Sequence, residues 1–455
     1  MYFRLEKPDI THVPKEEALQ MLARDDVRSV IVETLRPYRY WDKVKYLNWP
    51  EDVSPEIGWA ALKMLRFTVL APNRTVAAVG VEDGGPFTFL SDLPWVSQLL
   101  HEFDMELGGT LPGARAEISD DMRDRLITRG VMEEAIASSQ IEGAHTTRKA
   151  AKRMLQEGRR PASKDERMIL NNYRAMVRIE EEYKHEPLSY DMLMELHATL
   201  TEGTMENSNE IGSLRDDEDE PESEKVAVRS NTEDITYHLP PSATFLREDI
   251  QRLIRYANDD LQVSDEGGFV HPIIKATIIH FWVGYLHPFA DGNGRLARAL
   301  FYWYLLRKGY WAFAFIPLSS VIKKSQDQYN RSYLYTEQDD RDLTYFIDYN
   351  LRKIKQARQD FIEYRDAQMR ENSQVARKAR ETYGFNERQV QLIRYFLQHA
   401  NESASLQMHM NVNSVSRPTA MRDFHELEAQ GFVNKRKRGK QVYYFSTEKL
   451  LRVFS

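Results

Sequence analysis

Two stretches that are apolar on nearly every side, residues 273–286 (IIKATIIHFWVGYL) and 296–306 (LARALFYWYLL), flank one short polar turn. Helices that are greasy all round can be satisfied only inside a core. The first run is too short for a bilayer and carries Lys275 and His280, which speaks against a membrane span. The pattern therefore predicts two core helices joined by the turn, with the second starting near Asn293 to Arg295.

The turn, residues 287–298 (HPFADGNGRLAR), gathers a base, a carboxylate, two glycines, an amide and two arginines. Gly292 and Gly294 let the backbone take positive φ and approach a ligand closely. Arg295 and Arg298 can fork onto phosphate oxygens, and Asp291 can hold a divalent metal. His287 is a candidate general base, since its unperturbed pKa lies near neutrality. The start of the second helix adds N–H groups and a positive dipole end, both suited to phosphate. An ordinary Asp-Gly or Asn-Gly turn needs neither the histidine nor the second arginine. A Walker A loop is excluded because no Gly-Lys-Ser/Thr ending follows. An EF-hand is excluded because Arg295 stands where an oxygen ligand belongs.

These residues resemble the Fic family signature, H-P-F-x-D/E-G-N-G-R-x-x-R, at every specified position. Gly294 occupies the place of a lysine in the related Doc-type kinases, as in the AMP-transferring branch. The resemblance runs over roughly residues 118–350. It implies a mainly α fold: a Fic-type helical bundle with a small β-hairpin flap. The implied activity is that of a protein adenylyltransferase, moving AMP from ATP to a Tyr, Thr or Ser hydroxyl of a target protein or of itself. His287 would take the hydroxyl proton, and Asp291 would hold Mg²⁺ (or Mn²⁺) against the α- and β-phosphates. Gly292, Asn293, Gly294 and Arg295 would bind the phosphates, Arg298 would reach the γ-phosphate, and Tyr329 and Asn330 would lie near the adenine.

Upstream, residues 138–143 (SSQIEG) read as a helix end closed by Gly143. Glu142 in the last turn opposes the helix dipole, a local violation of the kind functional sites carry. Ser138, Glu142 and Gly143 resemble the inhibitory motif of Fic proteins, S/T-x-x-x-E-G/N. The resemblance implies a pairing of Glu142 with Arg298 in the space the γ-phosphate needs. Residues 226–241 (VAVRSNTEDITYHLPP) read as two short strands around a polar turn. Their place resembles the Fic flap, with Ile235, Thr236 and Tyr237 as the edge that registers a target strand.

Residues 385–455 read as a separate module: a helix capped by Asn386, a second opened by Ser416 and Pro418, and a basic hairpin after Gly431. This order resembles a winged helix-turn-helix. It holds eleven Lys plus Arg against six Asp plus Glu, a net of +5 in a chain whose total is −7. Such segregation suggests DNA, with Lys435, Arg436, Lys437, Arg438 and Lys440 on phosphates and Arg417 or Arg422 in a groove. Asp423, Glu426 and Glu428 on the same helix weigh against it. A protein-docking or dimerisation wing is the alternative.

The expected division is an N-terminal α/β accessory region (1–117), the catalytic region (118–350), a helical linker (351–384) and the C-terminal module. Within the first, residues 67–70 and 75–81 read as strands and 87–107 as helix. The absence of cysteine excludes disulfides and thiol chemistry. The N-terminus lacks a signal-peptide core, which suggests the cytoplasm. A homodimer is compatible with all of this, and nothing points to a membrane partner. Three alternatives stay open: AMP removal at the same site, a different donor such as CDP-choline or UTP, and a DNA-binding regulator whose Fic domain senses nucleotide.

Overall fold

The computed structural model describes every residue except 109–119, 231–233, 260–268, 400–401, 439–440 and 455. The fold is predominantly α-helical with three small β elements. The N-terminal stretch supplies α1 (Lys15–Met21), α2 (Asp25–Glu33), α3 (Pro55–Met64), the antiparallel pair β1 (Arg74–Val76) and β2 (Thr88–Leu90), and α4 (Pro94–Leu107). Then come α5 (Asp120–Ile141), α6 (Arg148–Glu157), α7 (Lys164–Glu181), α8 (Tyr190–Thr201) and the pair β3 (Val228–Arg229) and β4 (Thr236–His238). They are followed by α9 (Ala243–Ala257), α10 (Pro272–Leu286), α11 (Asn293–Arg307), α12 (Gln326–Gln338) and the long α13 (Thr344–Tyr383). The chain closes with α14 (Glu387–Gln398), β5 (Ser403–Ser405), α15 (Leu406–Asn413), α16 (Arg417–Ala429), β6 (Val433–Arg438), β7 (Gln441–Ser446) and α17 (Glu448–Phe454).

Two compact units result: residues 1–110 with 174–313 and 318–355, and residues 111–173 with 314–317 and 356–455. The boundary expected at 117/118 falls outside the described residues.

The first unit is organised around α10 and α11. Every residue of α10 from 273 to 283 is buried, as is nearly all of α11. Each fully buried Leu, Ile or Phe there contributes about 1.5–3 kcal/mol before entropy is counted. That burial is why the polar turn between them is held rather than loose. Pro272 opens α10 at its first position, and His271 caps it by accepting the Ile273 N–H. The N-terminal stretch joins this unit through buried polar contacts. The Tyr38 hydroxyl donates to Asp342 at 2.6 Å, Arg74 pairs with Asp342 at 2.8 Å, and Arg66 donates to the Tyr345 hydroxyl at 2.7 Å. Buried charges of this kind persist only when paired.

One local expectation fails there. Residues 67–70 are not a strand; Leu65–Val69 continues α3 in a wider helical turn. Their aromatic and β-branched composition favours a strand, but a helix already running into them decides otherwise. Residues 75–81 shrink to β1, and 87–107 contains a strand before its helix, since β1 needs β2 as its partner.

The second unit packs α5 and α6 with the C-terminal elements. Ala379, Phe385, Ile393, Phe396, Phe424, Leu427, Phe432 and Leu450 form its core. Asn386 caps α14 in a reciprocal capping box with Gln389, as its sequence position demands. Strand β7 lies between β5 and β6, and α15 packs on both α5 and α6. Among the described residues no helix is long and apolar enough to cross a membrane.

Candidate active site

The turn between α10 and α11 is fixed by backbone contacts. His287 ends α10 in the left-handed region, φ 45° and ψ 59°, and its N–H still donates to the Val283 carbonyl at 3.0 Å. Arg215 holds the carbonyls around it: Nε donates to the His287 oxygen at 2.9 Å, and Nη2 to the Pro241 and Leu286 oxygens. Asp217 neutralises the guanidinium at 2.6 Å. The His287 Nδ1 faces the Gly284 carbonyl at 3.4 Å. A carbonyl can only accept, so a proton on Nδ1 would serve this contact and leave Nε2 as the basic nitrogen.

Phe289 points into the core, fully buried, and stacks on His197 with ring centroids 3.7 Å apart. The Gly212 N–H donates to His197 Nδ1 at 3.0 Å, so the proton sits on Nε2, which donates to the Asp291 carbonyl at 2.9 Å. Burial drives this imidazole down to about 4; the Asp291 carbonyl opposes the shift and Arg295 adds to it. His197 is a neutral strut under the turn.

The Asn293 side chain closes the same loop, accepting from the Phe289 N–H at 2.9 Å and donating to the Phe289 carbonyl at 2.7 Å. What Asn293 offers a ligand is its place at the start of α11. Gly292, at φ 85°, is the residue before it, and a Cβ there would meet the Thr201 side chain at 2.8 Å. Gly294 differs from expectation: it lies in the first turn of α11 and takes no positive φ, because the helix already begins at Asn293.

The Asp291 side chain is 51% exposed, with one oxygen on the Gly292 N–H at 2.6 Å and the other 3.6 Å from Arg295. Arg295 is fully buried and donates to the Leu200 carbonyl at 2.6 Å. Arg298 is also buried. With burial, it brings the neighbouring His280 down to about 3. His280 shares a 2.8 Å hydrogen bond with the Tyr329 hydroxyl, which places Tyr329 in the aromatic core, whereas Asn330 beside it is exposed. The turn thus gathers His287, Asp291, Gly292, Asn293, Gly294 and Arg295 at the start of one helix. Among the described residues no cluster of three or more His or acidic side chains could hold a metal ion.

The expected hairpin at 226–241 is present, with a register shift between Val228 and Arg229. His238 anchors it, with one ring nitrogen 2.8 Å from the Tyr285 carbonyl and the other 2.7 Å from Glu337. Of Ile235, Thr236 and Tyr237, Ile235 bonds inward to Ser230, while Thr236 presents its backbone to the other side. That side is taken by the chain's own first residues. The Thr236 N–H donates to the Met1 carbonyl, the Phe3 N–H donates to the Thr236 carbonyl, both at 2.8 Å, and Phe3 packs on Tyr237.

In the second unit, α5 ends at Ile141 and Gly143 follows at φ 94°, the expected helix stop. Ser138 is buried and Glu142 is exposed. Glu133 of α5 is gripped by two nitrogens of Arg148 from α6, Nη2 at 2.6 Å and Nε at 2.7 Å. Arg417, Arg422, Lys435, Arg436 and Lys437 are exposed, Arg438 is described in its backbone only, and Lys440 lies outside the described residues. Of the acidic residues held against a nucleic-acid role, Asp423 is turned away from this surface, whereas Glu426 is exposed and Glu428 meets Lys435 at 3.1 Å. Asp423 is buried and accepts from Arg388, Asn386 and His409, and Glu426 accepts from Gln389. Burial raises the Asp423 pKa, but those donors outweigh it and hold the carboxyl well below its usual range.

Sequence reasoning missed His197 and Arg215. His197 sits on the apolar face of α8 (YDMLMELHATLT), where a histidine needs a partner, and that was its only signal. Arg215 gave none.

Residues 187–305 match the Fic/DOC family. Over 82 residues the chain is 38% identical to the protein adenylyltransferase Fic of Nematostella vectensis, 18% of each chain. It is 35% identical over 82 residues to that of Drosophila melanogaster, 18% of this chain and 16% of the relative. The chain thus spans less than a fifth of the length of these curated relatives. A Fic family protein from Desulfovibrio desulfuricans superposes with a TM-score of 0.47 at 18% identity, over 78% of this chain and 97% of the other. Residues 187–305 are therefore a Fic-type region, related in sequence to known Fic adenylyltransferases.

Proposed function

We propose that this chain is a protein adenylyltransferase that moves AMP from ATP to a target hydroxyl. The observation that carries the reading is the complete signature turn, with a left-handed His287 clamped at one end and an open helix start at the other. The target oxygen attacks the α-phosphorus, the bond to the β-phosphate oxygen breaks, and pyrophosphate leaves. His287 Nε2 receives the hydroxyl proton. The N–H groups opening α11, with Arg295 and Arg298, would stabilise the phosphate charge. Mg²⁺ commonly takes one or two carboxylates and completes its shell with phosphates and water, which fits a single half-exposed Asp291. When bound it supplies charge neutralisation between α- and β-phosphates. Tyr329 would border the adenine from its core position, and Asn330 from the surface.

Glu142 would restrain the resting enzyme by competing with the γ-phosphate for Arg298. Its place just past the end of α5, beside Ser138 and Gly143, supports this role. The C-terminal module reads as a winged helix, and its exposed cations with an inward-turned Asp423 favour DNA over a protein wing, against the two acids Glu426 and Glu428 that stay at the surface. The test is mass spectrometry of the purified full chain with ATP and Mg²⁺. Glu142→Gly should gain one AMP mass per chain, and His287→Ala should gain none in either background. Equal behaviour of both variants and the parent would end this assignment.

A further inference from the structure

We propose that the cleft between α6 and the α14–α15 face is a binding site for a small phosphorylated ligand, separate from the signature turn. The cavity measures about 600 Å³ and lies wholly within the second unit, inside the range of small-molecule sites.

Its α6 wall places Arg148, Lys149, Lys152 and Arg153 in the first six residues of the helix, with no acid in the first turn. Cations at a helix N-terminus work against the macrodipole, so helix stability does not account for them. Arg394, buried on α14 and 4.0 Å from Glu387, adds a fifth positive charge, and among the described residues of the cavity wall the acids are Glu157 and Glu402. The existing pairs are uneven. Lys149 meets Glu402 at 2.6 Å and Arg153 meets Glu157 at 2.8 Å. Arg148 occupies both oxygens of Glu133, which leaves Lys152 3.8 Å from that carboxylate. Burial lowers the Lys152 pKa; Glu133 opposes this, and Arg129 and Arg148 add to it. An anion arriving at Lys152 would therefore relieve crowding while competing only with a long 3.8 Å pair.

The facing wall is of another character. Tyr395, Met408, Val412 and Phe445 give it an apolar, partly aromatic surface. Cations on one side and rings on the other suit a phosphoester whose remainder is flat or apolar. A lone inorganic anion would use only half of the lining.

Hydrogen–deuterium exchange on the full chain, with ATP and separately with inorganic tripolyphosphate, resolves this cleft from the signature turn by position. Saturable protection at residues 148–157 and 406–413 is expected, independent of any protection at 287–298. In Lys152→Gln/Arg153→Gln the midpoint for the cleft should rise at least tenfold while that for 287–298 stays in place. Val412→Trp, which fills the cavity without touching charge, should have the same effect. Equal protection by tripolyphosphate would support the site and assign the ring wall no part in affinity. No protection there at millimolar concentrations, or protection that survives both variants, would overturn the proposal.

Discussion

Arg295 and Arg298 are 0% and 2% exposed, whereas Arg417, Arg422, Lys435, Arg436 and Lys437 lie open to solvent. Arg295 is held by the Leu200 carbonyl and Arg298 is buried three residues along the same helix, so their charge is fixed in place before any ligand arrives. The second is hydrated, adaptable and screened by salt. Burying a guanidinium is costly unless partners compensate, and for Arg295 the partners are the Leu200 carbonyl and Asp291. Position is therefore the property of the buried set, and attraction that of the exposed set.

The comparison breaks most sharply at Arg215, which positions rather than reacts. Lysine there cannot fork onto the carbonyls of 241, 286 and 287. AMP transfer should fall about 100-fold, as small misplacements of reacting groups do, with the fall in kcat and ATP affinity retained. A fall confined to KM would show that Arg215 does not position His287.

A second break point is the neutral strut. Unfolded, His197 takes a proton below its ordinary 6.5; folded, it resists until about 4. The stability from this group is complete above pH 6.5 and is lost as pH falls to about 4, about 3 kcal/mol in total. Thermal melts across that window should show the loss, and His197→Gln should flatten it.

The flap edge gives a smaller effect. Phe3→Pro removes the N–H that bonds the Thr236 carbonyl, and labelling of a target protein should rise several-fold with nucleotide affinity unchanged. An unaltered KM for the target would mean that residues 1–3 do not compete for that edge. The smallest change in reaction rate, none, is expected from Lys435→Gln/Lys437→Gln. The salt slope of DNA binding should fall by about 2. A slope equal to that of the parent would remove the hairpin from any nucleic-acid contact.

The sequence was most readable where residue type and local spacing decide the outcome. Helices α10 and α11, the Asn386 cap and the Gly143 stop stand where periodicity and capping place them. The supports of the site were hidden because their partners are backbone carbonyls far along the chain: His197 reaches Asp291, and Arg215 reaches Pro241 and Leu286. No side-chain pattern marks such contacts. Asp423 was misleading for a related reason. On a helical wheel it is one more surface acid, but Arg388 and His409 draw it inward. Residues 67–70 carry strand-forming side chains, and only the helix running into them settles their conformation.

The left-handed backbone of His287 sets two selective pressures against each other. A non-glycine residue in that region costs about 1–2 kcal/mol, and glycine would take the same φ at no steric cost. A library screened for heat resistance alone should therefore drift towards glycine at 287 and lose its base without any sign of damage to the fold. Under the proposed mechanism, a histidine at that position is what selection for chemistry would keep.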